Sequence, residues 1–515
     1  MGNKLSSPLS YFSNGTNNND SNDNNDDNDD EYSSSSDHHK RRQKIEAKGG
    51  YVSVLSYHDQ LLLDHSQVLQ CKALFQAFGE HQFEIQGNIN ANISKYVQGS
   101  EYIVKIASGG HHTVLLTSLG RILSFGKNLD GQVGWKTELN HSNDIGEAKP
   151  LYKYTNEFAV DVCCGNNHTV ILTNLGNLMG CGWNAYGQLA EGPHSSQSLD
   201  YIKFKAKIRM VRAGNNATCI LDADGRLYLS GTLHMTECRL GEFTLMDDFS
   251  AKLSKHEKIV DFQVGGRQVV AVSSKNKVFI LGEDYIDRGG SNYKRFTNVT
   301  SKLGFDPIEL KSFSVGLYHC LFLTHSGRMY ATGYNGYGQL GTGDFQDLNT
   351  PKEITKFYKV DPESIKKGIT AEQDKIEYYE CAVAKDPEFY SDVHFIEKNE
   401  FITSILAGSC HSLFVSNLGT IYGCGYNAYG QLVLPLEVVD EYDDDAVPEP
   451  KEKNPDVKQL LIDTTRSSNF ILFSNSAANI TILAEKQAIN LWMYKCLKNR
   501  AIGGELGDVV FSFDQ

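Results

Sequence analysis

Apolar residues along this chain come in short runs, each closed by a turn residue. Val114-Leu115-Leu116 and Ile122-Leu123-Ser124-Phe125 are typical. Runs this short, bounded by Gly, Asn and Ser, predict β-strands and not helices. They are apolar nearly throughout, where a half-exposed strand would alternate. Both faces are therefore expected to be buried, as when sheets stack face to face around an axis.

The runs recur in register. Ala107 to Thr117 returns as Cys163 to Thr173, and further copies start at Gly214, Gly265, Gly316 and Gly408. Eleven residues after Gly109, Gly165, Gly214, Gly265, Gly316 and Gly408 stand Gly120, Gly176, Gly225, Asn276, Gly327 and Gly419. Six residues further on come Gly126, Gly182, Gly231, Gly282, Gly333 and Gly425. A spacing kept in six copies marks a repeat architecture, with glycines where the backbone needs positive φ or a neighbouring sheet comes close. Four copies add Asn-x-x-Gly-Gln and an aliphatic residue, at Asn128 to Val133, Asn184 to Leu189, Asn335 to Leu340 and Asn427 to Leu432. That pattern suits a tight turn into the next strand.

The Gly-x-x-His segments and Gly-Tyr-Asn-Gly-Tyr-Gly-Gln-Leu-Gly at 333–341 resemble the regulator-of-chromosome-condensation repeat family. The resemblance covers roughly residues 70–475 and implies an all-β, seven-bladed β-propeller. Repeats three and four depart from it, with Ala217 and Gln268 in place of His and the Asn-x-x-Gly-Gln turn lost. The seventh blade is expected to be split. Residues 457–474 read as the first half of a repeat, and 73–87, with Leu74 to Gly79, as the second. Such a split closes the ring and removes an open edge; it is also the closure that the resemblance implies.

Three domains are expected. Residues 1–50, rich in Ser, Asn and Asp, cannot bury a core and are expected to be disordered. The propeller occupies 51–475, interrupted by a long insertion at 342–400 and an acidic loop at 437–456. A C-terminal extension, 476–515, carries an amphipathic helix at 485–500, read from Ile489, Trp492, Met493, Cys496 and Leu497. The strand-like segment Asp508 to Phe513 that follows is weakly similar to the opening of a BTB domain. The insertion holds the candidate partner-binding aromatics Phe357, Tyr358, Tyr378, Tyr379, Phe389 and Tyr390. The acidic loop reads most simply as a solvated connector.

Charge narrows the function. Against 63 acidic residues stand 49 basic ones, a net of −14 that argues against broad binding to nucleic acid. No apolar run approaches the ~20 residues of a membrane span, and no secretory h-region opens the chain. The 11 cysteines are scattered without zinc-ligand spacing, as in a reduced chain without structural metal. Neither a phosphate loop, HExxH nor GxSxG is present. Gly180-Cys181-Gly182 with Gly187 has the wrong spacing for a dinucleotide loop and recurs as a blade turn at 423–430. No cofactor or catalytic residue is expected. His112, His168, His319 and His411 occupy one place in different blades, so they are expected to bond neighbouring strands and not to converge on a metal. Cys410 beside His411 is read as coincidence, since neighbours on a strand face opposite ways.

Met1-Gly2-Asn3-Lys4-Leu5-Ser6 fits the myristoylation pattern, with Gly2 the acceptor. One acyl chain binds membranes weakly, and the basic cluster at 40–48 must act across an acidic run. The expectation is a cytoplasmic protein held partly and reversibly at a membrane face. Two readings of function follow. The first is a non-enzymatic scaffold binding protein partners. The second, implied by the resemblance, is a guanine-nucleotide exchange factor for a small GTPase.

Overall fold

The computed structural model describes residues 74–79, 93, 95–97, 101–134, 145–151, 157–190, 195–233, 240–246, 253–284, 291–361, 378–385, 393–397, 399–428, 432, 434, 436–437, 449–450, 453–460, 469–475 and 479–486. Gly2, the tail 1–50, most of the acidic loop and residues 487–515 of the C-terminal extension lie outside these. No helix among the described residues is long and apolar enough to cross a membrane.

The first five repeats each fold as one antiparallel four-stranded sheet. Blade one is Ile103–Ser108, His112–Thr117, Ile122–Gly126 and Ile145–Leu151. Blades two to five follow the same order, with first strands Ala159–Cys164, Ile208–Ala213, Ile259–Val264 and Leu310–Val315. First strands of successive blades touch one another around an axis. The second strands, His112–Thr117 among them, are buried at every residue. The core therefore lies between blades, as the uninterrupted apolar runs require: Leu115 and Phe125 of one blade share a cluster with Val162 and Met179 of the next. The hairpin joining second and third strands turns on the middle glycine. At the one copy without it, Asn276 takes the left-handed conformation at φ 57°, which Asn tolerates better than most residues.

Blade six is larger. Ile402–Ala407, His411–Ser416, Ile421–Tyr426 and Lys453–Gln459 form its four repeat strands. The insertion adds Lys356–Val360, parallel to Lys453–Gln459, and then Tyr378–Ala382 outside it, making six strands.

Among the described residues there are six blades and not seven. The seventh place is held by a three-stranded sheet, ordered Leu74–Gly79, Asn479–Lys486, Asn469–Asn475. Its strand Asn469–Asn475 touches both Ile402–Ala407 and Ile103–Ser108, so it closes the ring. The sequence pattern assigns the whole second half of this repeat to residues 73–87, with Leu74–Gly79. The third strand is Asn479–Lys486 instead, past residue 475, and Leu74–Gly79 pairs on its outer side. The sequence between these two strands, 476–478, has no glycine, so the marker that located the other hairpins is missing.

A carboxylate eight residues before the first glycine locks several blades. Arg121 Nε donates to Glu101 at 2.8 Å, and Ser273 Oγ donates to Glu257 at 2.6 Å. In blade six Tyr422 donates to Glu400 at 3.1 Å, and Lys359 of the insertion pairs with the same carboxylate at 2.9 Å.

Candidate functional site

One end of the propeller gathers the loops that join first to second strands and third to fourth strands. The repeat histidines organise it. His112 Nε2 lies 2.9 Å from Thr169 Oγ1 of the next blade, and Thr169 Oγ1 donates to the Gln132 carbonyl at 2.7 Å. Because the hydroxyl hydrogen is committed to Gln132, the imidazole must be the donor, with its proton on Nε2. His319 repeats the arrangement, 2.9 Å from Ser412, which donates to the Gln339 carbonyl at 2.6 Å. His168 lies 3.0 Å from Thr218. Burial pushes the imidazoles of His168 and His319 down to about 3, so both are neutral at pH 7.

The Asn-x-x-Gly-Gln turn serves the same clasp. Asn128 Oδ1 accepts from Val133 N at 3.1 Å, and Gln132 Oε1 accepts from Asp130 N at 3.0 Å. Its carbonyl is thereby held toward Thr169. At the degenerate repeats the clasp weakens: Gln268 donates to the Cys320 thiol at 3.3 Å, while Ala217 has no polar side chain to offer. His411, in the last full repeat, is fully buried. Among the described residues no three His, Cys, Asp or Glu side chains converge as a metal site would need. Burial pushes the Cys410 thiol up to about 11, so beside His411 it is not an activated nucleophile.

The first glycines, Gly109, Gly165, Gly214, Gly265, Gly316 and Gly408, ring the axis and line a cavity of about 350 Å³. A methyl at Gly165 would stand 2.4 Å from the Gly214 carbonyl oxygen, and one at Gly316 would stand 2.4 Å from that of Gly408. The last glycines, Gly126, Gly182, Gly231, Gly282, Gly333 and Gly425, all have positive φ and pass close to the backbone just before the second strand. Further along the first strands, Asp161 is held between Lys105 at 2.5 Å and Arg212 at 3.2 Å.

Beside the cavity, on the same end, four half-buried tyrosines form a run. Ring centroids are 6.0 Å apart for Tyr318 and Tyr334, 6.2 Å for Tyr334 and Tyr337, and 5.0 Å for Tyr337 and Tyr426, each pair edge to face. Arg267 sits over Tyr318 at 4.9 Å, and Lys453 over Tyr337 at 5.4 Å. The rings come from blades five and six, Arg267 from blade four, and the run presents rigid rings with a cation near each end, the side chains that dominate protein-binding surfaces.

The aromatics expected to bind partners fare differently. Phe357 is 0% exposed and packs edge to face on Phe414 and Tyr422, so it belongs to the core and not to a partner surface. Tyr378 donates to the Gln459 carbonyl at 3.2 Å, fastening the insertion to blade six. Tyr358 and Tyr379 are half-buried and bond to Glu380 and Glu397. Phe389, Tyr390 and Gly2 lie outside the described residues. The tyrosine run was missed because its members come from three separate loops. A Tyr just before His319, and Tyr just after Gly333 and Gly425, were the available signals.

Comparison with known proteins bears on the repeats and the fold. Family models for the regulator of chromosome condensation (RCC1) repeat match residues 103–132, 159–188, 310–339, 402–431 and 326–368. The chain is 24% identical to the human regulator of chromosome condensation over 359 residues, covering 61% of this chain and 83% of that protein. It is 25% identical to the human E3 ubiquitin-protein ligase HERC2 over 254 residues, 47% of this chain but 5% of that protein. The match to the ultraviolet-B receptor UVR8 of Arabidopsis thaliana is 24% and spans 64% of this chain and 66% of the receptor. Among solved structures, yeast RCC1 (Prp20) bound to Kap60 aligns with a TM-score of 0.56 at 15% identity, over 85% of this chain and 94% of that one. Human WBSCR16 aligns at 0.53 and 16%, over 76% and 89%.

Proposed function

The chain carries RCC1 repeats and its relatives are RCC1-family proteins, and from that premise we propose that it is a scaffold whose propeller end binds a protein partner. The observation that carries the reading is the run Tyr318, Tyr334, Tyr337, Tyr426 with Arg267 and Lys453 stacked on it. Rings already held against each other lose little freedom on binding, which makes them effective anchors. The test is capture of partners from native cells by the full chain and by Tyr337→Ala/Tyr426→Ala. A discrete partner lost with the two rings supports the reading; identical partner sets contradict it.

Nucleotide exchange on a small GTPase is the second reading, supported by what relatives are. A structure of Prp20p from Saccharomyces cerevisiae is described by its binding to Gsp1p and histones, and aligns at 15% identity with a TM-score of 0.54. A human RCC1-like G exchanging factor-like protein is 24% identical over 268 residues, 49% of this chain and 57% of that protein. Exchange requires loops on one propeller end to displace nucleotide, and the tyrosine end would be the one to use. Stimulated nucleotide release from a Ras-like GTPase, abolished by the same substitutions, selects this reading over a passive scaffold.

Attachment belongs to the same proposal. Gly2 heads a myristoylation pattern, and the weak affinity of one acyl chain makes the attachment reversible, at a membrane face in the cytoplasm. Gly2→Ala moving the membrane-bound fraction into the soluble pool is the expected result. An unchanged distribution contradicts it.

A further inference from the structure

The opposite end of the propeller carries the hairpins between second and third strands and the entries to the first strands. The two are tied together: Ala223 N donates to the Lys207 carbonyl at 3.0 Å, and Ser274 N donates to the Lys258 carbonyl at 2.8 Å. In three blades the residue before the hairpin glycine is an exposed leucine. Leu119 is 46% exposed, Leu175 51% and Leu418 63%. They belong to blades one, two and six, which the three-stranded closing sheet joins into one arc. In blades three, four and five the same position is Asp224, Lys275 and Ser326.

Single exposed leucines need no explanation. Three at one structural position, confined to one sector, do. The turn itself asks only for the glycine that follows, and the polar residues in the other blades satisfy it equally well.

Next to this arc the same end is basic. Lys203, Lys205, Lys207, Lys255, Lys258 and Lys275 are all exposed on blades two to four. Among the described residues of these hairpins and entries the carboxylates are Asp222 and Glu257, both buried, Glu157, which accepts from Asn177 at 3.0 Å and from Tyr201 at 3.2 Å, and Asp224, which pairs with Arg226 at 2.7 Å. In a chain of net charge −14 this is a local reversal of sign.

We infer that this end of the propeller docks on an anionic lipid bilayer, the leucine tips entering the acyl boundary and the lysines facing the headgroups. Protruding apolar tips without a groove fit a bilayer better than a folded partner, which needs a complementary concave surface. The lysines supply the complementary charge. The inference does not rest on the tyrosine end or on acylation at Gly2.

The test is sedimentation of full-length Gly2→Ala protein with phosphatidylcholine vesicles, with and without phosphatidylserine. The expected result is binding to the anionic vesicles alone. Lys203→Glu/Lys205→Glu/Lys207→Glu should weaken it at least ~10-fold, since each lysine near an anionic leaflet contributes up to ~5-fold. Leu119→Ser/Leu175→Ser should weaken it too, and unchanged melting curves should show that both variants fold. Absence of binding to anionic vesicles overturns the inference. So does binding indifferent to the leucines and competed equally by a soluble polyanion such as heparin, which would make the lysines a general anion site.

Discussion

A methyl group on Gly214 would stand 2.2 Å from the carbonyl oxygen of Gly265 in the next blade. The repeat glycine is therefore fixed by its neighbour and not only by its own turn, because a Cβ there collides with backbone. Gly214→Ala should cost about 1–3 kcal/mol as an overpacked contact. At Gly241 a Cβ would meet nothing within 4 Å, so Gly241→Ala should change stability by less than about 0.5 kcal/mol. Denaturant unfolding of the two variants checks both; equal effects would mean that the axial ring is not tightly packed.

The His112–Thr169 clasp should be measurable as a coupling. His112→Ala and Thr169→Val should each destabilise by about 1–3 kcal/mol, since each strands a buried polar partner. The double variant should lose less than the sum, with a coupling of about 0.5–1.5 kcal/mol. Strict additivity would show that the two groups do not interact.

Much of this was legible because a repeat repeats its constraints. The glycines and histidines stand where one blade touches the next, so the contacts leave their marks at fixed positions in most copies of the repeat. The strands, their burial and the membership of Leu74–Gly79 in the closing sheet follow from the same periodicity. What breaks the period was not legible. Asn479–Lys486 lacks a glycine-marked hairpin, and Phe357 looked like a partner-binding aromatic because only the fold inserts it between Phe414 and Tyr422. The tyrosine run and the leucine arc are properties of the assembled surface, built from loops tens of residues apart.

Buried neutral histidines make the fold acid-sensitive. His168 and His319 are held at about 3 by burial, against about 6.5 in an unfolded chain. Unfolding then takes up protons, so this stability is complete above about pH 6.5 and is lost as pH falls toward 3. Each group contributes a slope of up to about 1.4 kcal/mol per pH unit inside that window. Glu257, brought down to about 2 by hydrogen bonds from Lys277 and Ser273 against the effect of burial, acts only below about pH 4.5. The melting temperature should fall between pH 6.5 and 5, and His168→Gln/His319→Gln should flatten that fall. Parallel curves for variant and wild type would contradict it.

Lys359 joins the insertion to the repeat through Glu400, which is 1% exposed. Burial opposes the Glu400 charge, but hydrogen bonds from Lys359, Ser416 and Thr420 outweigh it and hold the carboxyl below its ordinary range. Lys359→Met should cost about 3 kcal/mol by leaving that carboxylate buried without its cation. Lys359→Met/Glu400→Gln should recover part of the loss. A neutral Lys359→Met would mean that the insertion is not locked to blade six by this pair.

The central claim is that the tyrosine end is where a protein partner sits, and site-specific photo-crosslinking tests it most directly. A photo-reactive residue replaces Tyr334 in one full-length protein and Ser274, on the opposite end, in another, each irradiated in native cells. The account predicts a discrete protein adduct from position 334 that disappears with Tyr337→Ala/Tyr426→Ala, and none from position 274. An adduct from 274 alone, or one from 334 indifferent to the loss of the neighbouring rings, would contradict it.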